Sequence, residues 1–214
     1  LPSRHRTERR ASRHERKQQT RRRLLDAALA LLSQHSFDSI SLREVAREAG
    51  ITPTAFYRHF DGMEELGLVL VEEALGTLHQ LIRDARADTT SYPDVVRRSV
   101  AVVVEHVQAH RLHLRFIARE RYGGVRRLRR MIRVELDLFA TELAVDLTRF
   151  PQLEHWSRED RQMYAELLVD TVVATAAALL DATAEEAERI ARRVERQLRL
   201  TVIGVAGWRS RPGS

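Results

Sequence analysis

The chain has 214 residues, 43% of them hydrophobic and 31% charged, which is enough to bury a core and excludes a disordered tail protein. It contains no cysteine, which excludes a disulfide scaffold, a thiolate metal site and a cysteine nucleophile, and suits a reducing cytoplasm. The formal net charge is +6, and its distribution is uneven: residues 1–23 hold a net +8, leaving −2 for the rest.

The cations of that first stretch are Arg4, Arg6, Arg9, Arg10, Arg13, Arg16, Lys17, Arg21, Arg22 and Arg23, set against Glu8 and Glu15. A basic arm ahead of a folded domain neutralises phosphates and releases counterions, so nucleic acid is the expected partner. A solubilising tail is the alternative. Lys17 is the only lysine, so a codon bias toward arginine also raises the Arg count without any role in phosphate binding. No apolar stretch follows the charged start, so no secretory signal is expected and a cytoplasmic location is.

Apolar residues recur at helical spacing almost throughout, and no strand-like alternation of useful length occurs. A first helix is predicted from near Lys17, burying Leu24, Leu25, Ala28, Leu29, Leu31 and Leu32. Ser36 to Ser39 is a short connection. A second helix starts at Ser41 and a third at Thr52. Asp61 opens a long fourth helix carrying Leu66, Val69, Leu70, Ala74, Leu78, Leu81 and Ile82. The polar stretch Asp88 to Pro93 interrupts the pattern. A fifth helix runs through Val100, Val103, Val104 and Val107, and a short sixth from about Arg111 to Glu120. Gly123 and Gly124 break the chain before a seventh helix carrying Leu128, Ile132, Leu136, Phe139 and Leu143. The eighth is expected from about Arg158 to Leu180 and the ninth from about Ala184 to Trp208. Leu167 to Leu180 is too short for a membrane span and is broken by Asp170, so it reads as a core helix and no membrane partner is expected.

The stretch Ile40 to Phe60 carries the most local information. Ser41 with Glu44 forms a capping box that fixes a helix start. Gly50 sits where the chain turns sharply and is free to take positive φ. Thr52 caps the next helix, with Pro53 at its first position. Phe56 and Phe60 are one helical turn apart and point inward. Two short helices on a tight glycine turn make a helix-turn-helix, whose second helix enters the major groove. A hairpin that only packs against its neighbours is the alternative. On the DNA reading, the expected contacts are Ser41, Arg43, Thr52, Pro53, Thr54, Ala55, Tyr57, Arg58 and His59. Thr52, Tyr57 and His59 would bond phosphates, Arg58 or Arg43 a guanine edge, and Thr54 or Ala55 a thymine methyl.

The run Ser41-Leu42-Arg43-Glu44-Val45-Ala46, through Gly50, to Phe56-Tyr57-Arg58-His59-Phe60, followed by Glu64-Glu65-Leu66, closely resembles the DNA-binding domain of TetR-type repressors. The resemblance covers roughly residues 17–70. It implies an all-α subunit of about nine helices, a dimer formed through the last two long helices, and a ligand cavity in the C-terminal domain. The implied organisation is a basic arm at 1–16, the helix-turn-helix domain at 17–62, a ligand-binding and dimerisation domain at 63–208, and a tail at 209–214. Members of this group often carry a phosphate-contacting lysine at the start of the fourth helix. Met63 stands there in this chain, which shifts that expected contact to backbone N–H groups.

A narrower resemblance rests on Phe56-Tyr57-Arg58-His59-Phe60 with Glu65-Leu66-Gly67-Leu68, on Arg119-Glu120-Arg121 and on Val194-Glu195-Arg196-Gln197-Leu198-Arg199. These look like the unsaturated-fatty-acid regulators DesT and FabR. That implies a long-chain acyl-CoA effector and target genes of unsaturated fatty acid synthesis or desaturation. An acyl chain needs an apolar tunnel and coenzyme A needs cations at its mouth. The expected ligand residues are Leu78, Val103, Val107, Phe116, Arg119, Ile132, Leu136, Phe139 and Val172, each of which also reads as ordinary core or, for Arg119, as part of a solvated face. Arg111, Arg115, Arg121, Arg126, Arg127, Arg129, Arg130 and Arg133 surround Arg119 and divide between the same two readings. A repressor of an efflux or catabolic operon with another hydrophobic ligand is the alternative function.

His106, His110 and His113 share one helical face at metal-ligand spacing, but an exposed polar face explains them equally, and no metal or other cofactor is expected. Helices eight and nine combine small residues (Ala174, Ala176, Ala177, Ala178, Gly204, Gly207) with apolar faces, as a four-helix dimer interface or intrachain packing requires. No Gly-rich phosphate loop, Gly-x-Ser-x-Gly or His-Glu-x-x-His is present, so an acyl-CoA-binding enzyme is disfavoured and no catalytic residue is expected.

Overall fold

The computed structural model describes residues 3–87 and 92–210, with the side chains of 3–13, 86, 87, 92, 93 and 206 outside that description. The expected arm cations Arg4 to Arg13 and the polar stretch from Asp88 therefore lie outside the described residues in whole or in side chain. Among the described residues the chain is all-α. In order it comprises α1 (Ser3–Leu32), a 3-10 turn (Phe37–Ser39), α2 (Leu42–Glu48), α3 (Pro53–Phe56), α4 (Met63–Ala87), α5 (Tyr92–Ala109) and α6 (Arg111–Glu120). There follow α7 (Arg126–Asp146), a second 3-10 turn (Leu147–Arg149), α8 (Arg158–Leu179) and α9 (Ala184–Gly207).

One element departs from the sequence reading. α1 starts at Ser3, not near Lys17. Residues 3–32 contain neither glycine nor proline and are rich in Arg, Glu, Gln, Ala and Leu, all good helix formers. The basic segment is thus an extension of α1 by propensity, although it has no apolar face to bury.

The short helices are held by local bonds. At α2, Ser41 Oγ accepts the Glu44 N–H at 3.3 Å and Glu44 Oε2 accepts the Ser41 N–H at 2.8 Å, the two halves of a capping box. These bonds hold the Glu44 carboxyl below its usual pKa. The helix ends at Gly50, whose φ of 67° is the left-handed conformation that glycine adopts without strain. The Gly50 N–H bonds Arg47 O at 3.1 Å and the Ile51 N–H bonds Ala46 O at 2.9 Å, closing a Schellman motif. Thr52 Oγ1 then accepts the Ala55 N–H at 3.2 Å and Pro53 occupies the first position of α3.

α4 leads directly from this unit into the long helices. The first core includes Leu24, Phe37, Val45, Phe56 and Phe60 and continues through Leu66 and Leu70 to Phe116, Leu128 and Ile132. It therefore crosses the expected boundary at residues 62–63 without a gap. Two further cores join α5, α7, α8 and α9, and α4, α5, α6, α8 and α9. α8 is long and apolar enough to cross a membrane by length and composition. In the fold its Tyr164, Ala165 and Leu168 are buried in the second core. α8 and α9 run antiparallel, with Tyr164 Oη 2.9 Å from Thr201 Oγ1 and Trp156 beside Trp208.

Gly67 lies where α4 meets the 3-10 turn. A Cβ there would fall 2.6 Å from Phe37 Cζ and 3.0 Å from Leu128 Cδ2. Gly67→Ala is accordingly expected to destabilise the protein by about 1–3 kcal/mol, despite alanine's higher helix propensity. Urea unfolding measures this, and a stabilised Gly67→Ala variant would contradict the close packing.

Candidate DNA-binding face and effector cavity

The helix-turn-helix presents a defined outer face. Phe56 and Phe60 are buried, with ring centroids 5.6 Å apart, and they turn the intervening residues outward. Thr52, Pro53, Thr54, Tyr57 and Arg58 are exposed, Ala55 and His59 half-buried, and Arg43 is exposed on α2. Tyr57 is 61% exposed, too open for a residue whose role is to fill the core.

The hydroxyls of this face differ in what they can still offer. Ser41 donates to Glu44 Oε2 at 2.7 Å and also accepts from Glu44, so its hydroxyl is committed to the cap. Thr52 accepts from Ala55, which leaves its O–H as a donor. His59 is held neutral-leaning, its pKa lowered first by burial and then by Lys17, Arg21 and Arg58, and its Nδ1 is buried without a partner. The start of α4 holds Glu64 and Glu65, and Glu65 already accepts the Asp61 N–H. That N–H is therefore not available for the backbone phosphate contact expected there.

Among the described residues, three cations of the basic stretch have partners for their side chains. Arg21 Nη1 donates to His59 O at 2.7 Å while its guanidinium lies 4.2 Å from the Phe60 ring centroid. Arg23 Nη2 donates to Ala49 O at 3.0 Å. α1 thus clamps the end of α2 at Ala49, where a cation complements the helix dipole, and the turn after α3 at His59. Arg22 pairs with Asp26 at 3.0 Å and Glu73 at 3.2 Å.

In the larger helical region, α4 to α8 surround a cavity of about 500 Å³. Leu75, Leu78 and Ile82 of α4, Leu114, Ile117 and Ala118 of α6, Leu136, Phe139 and Leu143 of α7, and Val169, Val172, Val173 and Ala176 of α8 form much of its wall. Of the expected ligand residues, Leu78, Leu136, Phe139 and Val172 line this space. Val103 and Val107 are instead buried in the third core, and Phe116 and Ile132 in the first. Arg119 is bonded to the carbonyls of Leu32 and His35. The polar lining consists of Ser99, Arg121, Tyr122, Asp146 and Arg149. Arg149 is paired with Asp146 at 2.8 Å. The Arg121 guanidinium stands 4.9 Å from the ring centroid of Tyr122, which is 78% exposed and marks the mouth. Sequence reasoning passed over Tyr122 and placed Arg121 only within the wider cluster around Arg119.

Most of the remaining Arg cluster is engaged within the chain. Arg111 bonds Ala182 O, Arg115 pairs with Asp181, Arg127 with Glu64, and Arg129 bonds the carbonyls of Gly123 and Gly124.

The three histidines do not form a common exposed face. His106 is buried, with its ring bonded to the Ala74 backbone and Nε2 unpartnered, while His113 is half-buried 3.9 Å from Glu73. Burial lowers the pKa of both. Among the described residues, no group of three or more His, Asp or Glu is arranged to hold a metal ion.

α8 and α9 leave Met163, Leu167, Leu200 and Ile203 exposed, together with Ala174, Ala177, Ala178, Gly204 and Gly207. By contrast Leu168, Leu179, Val194 and Leu198 of the same helices are buried within the chain.

Comparison with known proteins gives two family matches. A model described as bacterial regulatory proteins, tetR family, matches residues 24–69, and one described as a tetracyclin repressor-like C-terminal domain matches residues 93–204. Similar folds occur in the fatty acid degradation regulator FadR of Bacillus halodurans (TM-score 0.70, 17% identity, covering 90% of this chain and 97% of that one). A TetR-like transcriptional regulator from Rhodococcus sp. RHA1 has a TM-score of 0.69 at 18% identity, covering 86% and 96%. FadR of Bacillus subtilis, solved in complex with stearoyl-CoA, has a TM-score of 0.65 at 13% identity, covering 82% and 96%.

Proposed function

Because the chain belongs to the tetR family of bacterial transcriptional regulators, we propose that it is a cytoplasmic homodimeric repressor whose operator affinity is set by a long-chain acyl-CoA. The observation that carries the effector is the cavity. It is mostly apolar, is lined by α4 to α8, and has Arg121 beside Tyr122 at its mouth. A volume of about 500 Å³ falls within the range of small-molecule sites. An acyl chain occupies the apolar interior. The charged coenzyme A remains at the opening, where Arg121 offers a charge-assisted bond to phosphate.

The stearoyl-CoA complex of the Bacillus subtilis protein supports this chemistry in a similar fold. We place the target genes in fatty acid metabolism, with unsaturated fatty acid synthesis or desaturation as the specific proposal. DNA is read by Thr52, Pro53, Thr54, Ala55, Tyr57 and Arg58 of the exposed face, with Arg43 of α2 beside them. Ser41 holds the start of α2, and His59 contributes without a full charge.

Ala176 lines the cavity without filling it. Ala176→Phe is expected to cost at least about 1.4 kcal/mol of acyl-CoA binding, tenfold in Kd. Calorimetric titration of palmitoyl-CoA and oleoyl-CoA into both proteins measures the loss. Unchanged binding to the folded variant would place the acyl chain elsewhere. No binding of either acyl-CoA to the unaltered protein would return the effector to another hydrophobic molecule, as in an efflux or catabolic repressor.

A further inference from the structure

α6 is covered on two opposite sides. At about 100° per residue, Leu114, Ile117, Ala118 and Arg121 share one face, and this face lines the cavity. Phe116, Arg119 and Glu120 fall on the opposite face, which meets the end of α1 and the turn that follows it. Arg119 Nη1 donates to Leu32 O at 3.2 Å and to His35 O at 2.5 Å. The Leu32 carbonyl belongs to the end of α1, where the last C=O groups have no helical partner and a cation is favoured, and the His35 carbonyl to the turn that follows. Glu120 is 1% exposed, and its Oε1 accepts the Phe37 N–H at 3.1 Å. Its Oε2 is buried without a partner. The Phe37 ring lies 6.0 Å from that of Phe116.

A buried carboxylate with one unsatisfied oxygen is a poor source of stability. What it does provide is a directional link between α6 and the backbone at residue 37. The helix-turn-helix is in turn held to α1 by Arg21 and Arg23. A continuous set of contacts therefore runs from the cavity wall, across α6, to the end of α1 and on to α3.

We infer that Arg119 and Glu120 are the positioning residues that couple the cavity to the DNA-binding unit. This rests on the effector reading above. An occupant of the cavity displaces α6, and the two side chains carry that displacement into α1 and so into the orientation of α3. Neither residue lines the cavity, so neither acts by direct contact with the ligand. Coupling requires that the ligand bind the two arrangements with different free energies, and the α6–α1 bonds are what make the arrangements differ.

The test is a double-mutant cycle that does not depend on knowing the ligand. Val172→Phe fills the cavity from α8. Operator affinity is read by fluorescence anisotropy on a duplex selected in vitro with the unaltered protein. With Arg119 present, Val172→Phe is expected to change operator Kd by about 5–150-fold, the usual span of an allosteric coupling. In the Arg119→Ala background the change is expected to fall to within about twofold, the additivity error of unconnected sites. Arg119→Lys, which keeps a cation at the end of α1, is expected to restore part of the effect. Saturating oleoyl-CoA in place of Val172→Phe should give the same pattern. If oleoyl-CoA does not bind, the effector assignment fails while the Val172→Phe arm still decides the coupling.

Equal effects of Val172→Phe with and without Arg119, in variants that melt as the unaltered protein does, would overturn the proposal. Hydrogen exchange at the Phe37 amide guards against an Arg119 variant that does not fold. Protection of that amide must differ between the unaltered and Val172→Phe proteins, and equal protection would also overturn it.

Discussion

Phe56→Ala is expected to lower folding free energy by about 3–5 kcal/mol and to abolish operator binding. Phe56 is fully buried and packs against Phe60 and the edge of Tyr57. α3 is only one turn long, so it has almost no stability of its own. Its position depends on this ring in the first core and on the clamps from Arg21 and Arg23. Against a typical domain stability of about 5–15 kcal/mol, the loss is a large fraction of the whole. Because that core continues through α4 to α6 and α7, the damage should not stay in the N-terminal unit. Urea unfolding followed by far-ultraviolet circular dichroism measures it. A loss below about 1 kcal/mol, the ordinary cost of a point mutation, would contradict the assigned packing.

The second large effect is expected from Ile203→Glu. Ile203 is 72% exposed on α9, and Leu200, Met163 and Leu167 are exposed beside it on α9 and α8. Four such residues, with exposed Ala178, Gly204 and Gly207 on the same two helices, form a surface that two copies can bury against each other, with small residues permitting close approach. A glutamate at position 203 would replace apolar area with a charge that must be desolvated on association. The variant is therefore expected to be monomeric at micromolar concentration. Losing one of two linked half-site contacts removes avidity of about 10²–10⁴ in operator affinity. Sedimentation velocity and operator titration, run together, measure both changes. A dimer that survives Ile203→Glu would move the interface to another face. A monomer that keeps full operator affinity would remove the need for paired half-sites.

The helix-turn-helix was legible in the sequence because its signals are local. Ser41 with Glu44, Gly50, and Thr52 with Pro53 each act within a few residues, and each takes the bond or dihedral that its chemistry demands. The helix order was legible for a related reason, since apolar periodicity reports burial, and α6 begins and ends where the pattern places it.

The cavity was less so. Periodicity tells which side chains are buried but not whether they face a neighbour or a void. Val103 and Phe116 are as buried as Leu78 and Phe139, yet only the latter pair lines the open space. Arg119 and Arg121 are two residues apart, about 200° around the helix. One bonds the end of α1 and the other stands at the cavity mouth. Composition could not separate them. Nor could it show that Arg21 and Arg23 hold the fold together, because their partners are backbone carbonyls of residues 59 and 49.

The measurement that bears most directly on this account is operator affinity at one fixed salt concentration, with palmitoyl-CoA, with oleoyl-CoA and with neither. Salt must be held constant because phosphate contacts make every DNA affinity salt-dependent. The duplex is recovered by genome-wide pull-down of DNA bound to the protein. A dimeric repressor that senses acyl-CoA through the α4–α8 cavity is predicted to bind with a several-fold different Kd in at least one of the two acyl-CoA conditions. Equal affinity in all three, with both acyl-CoAs shown to be bound, would contradict it.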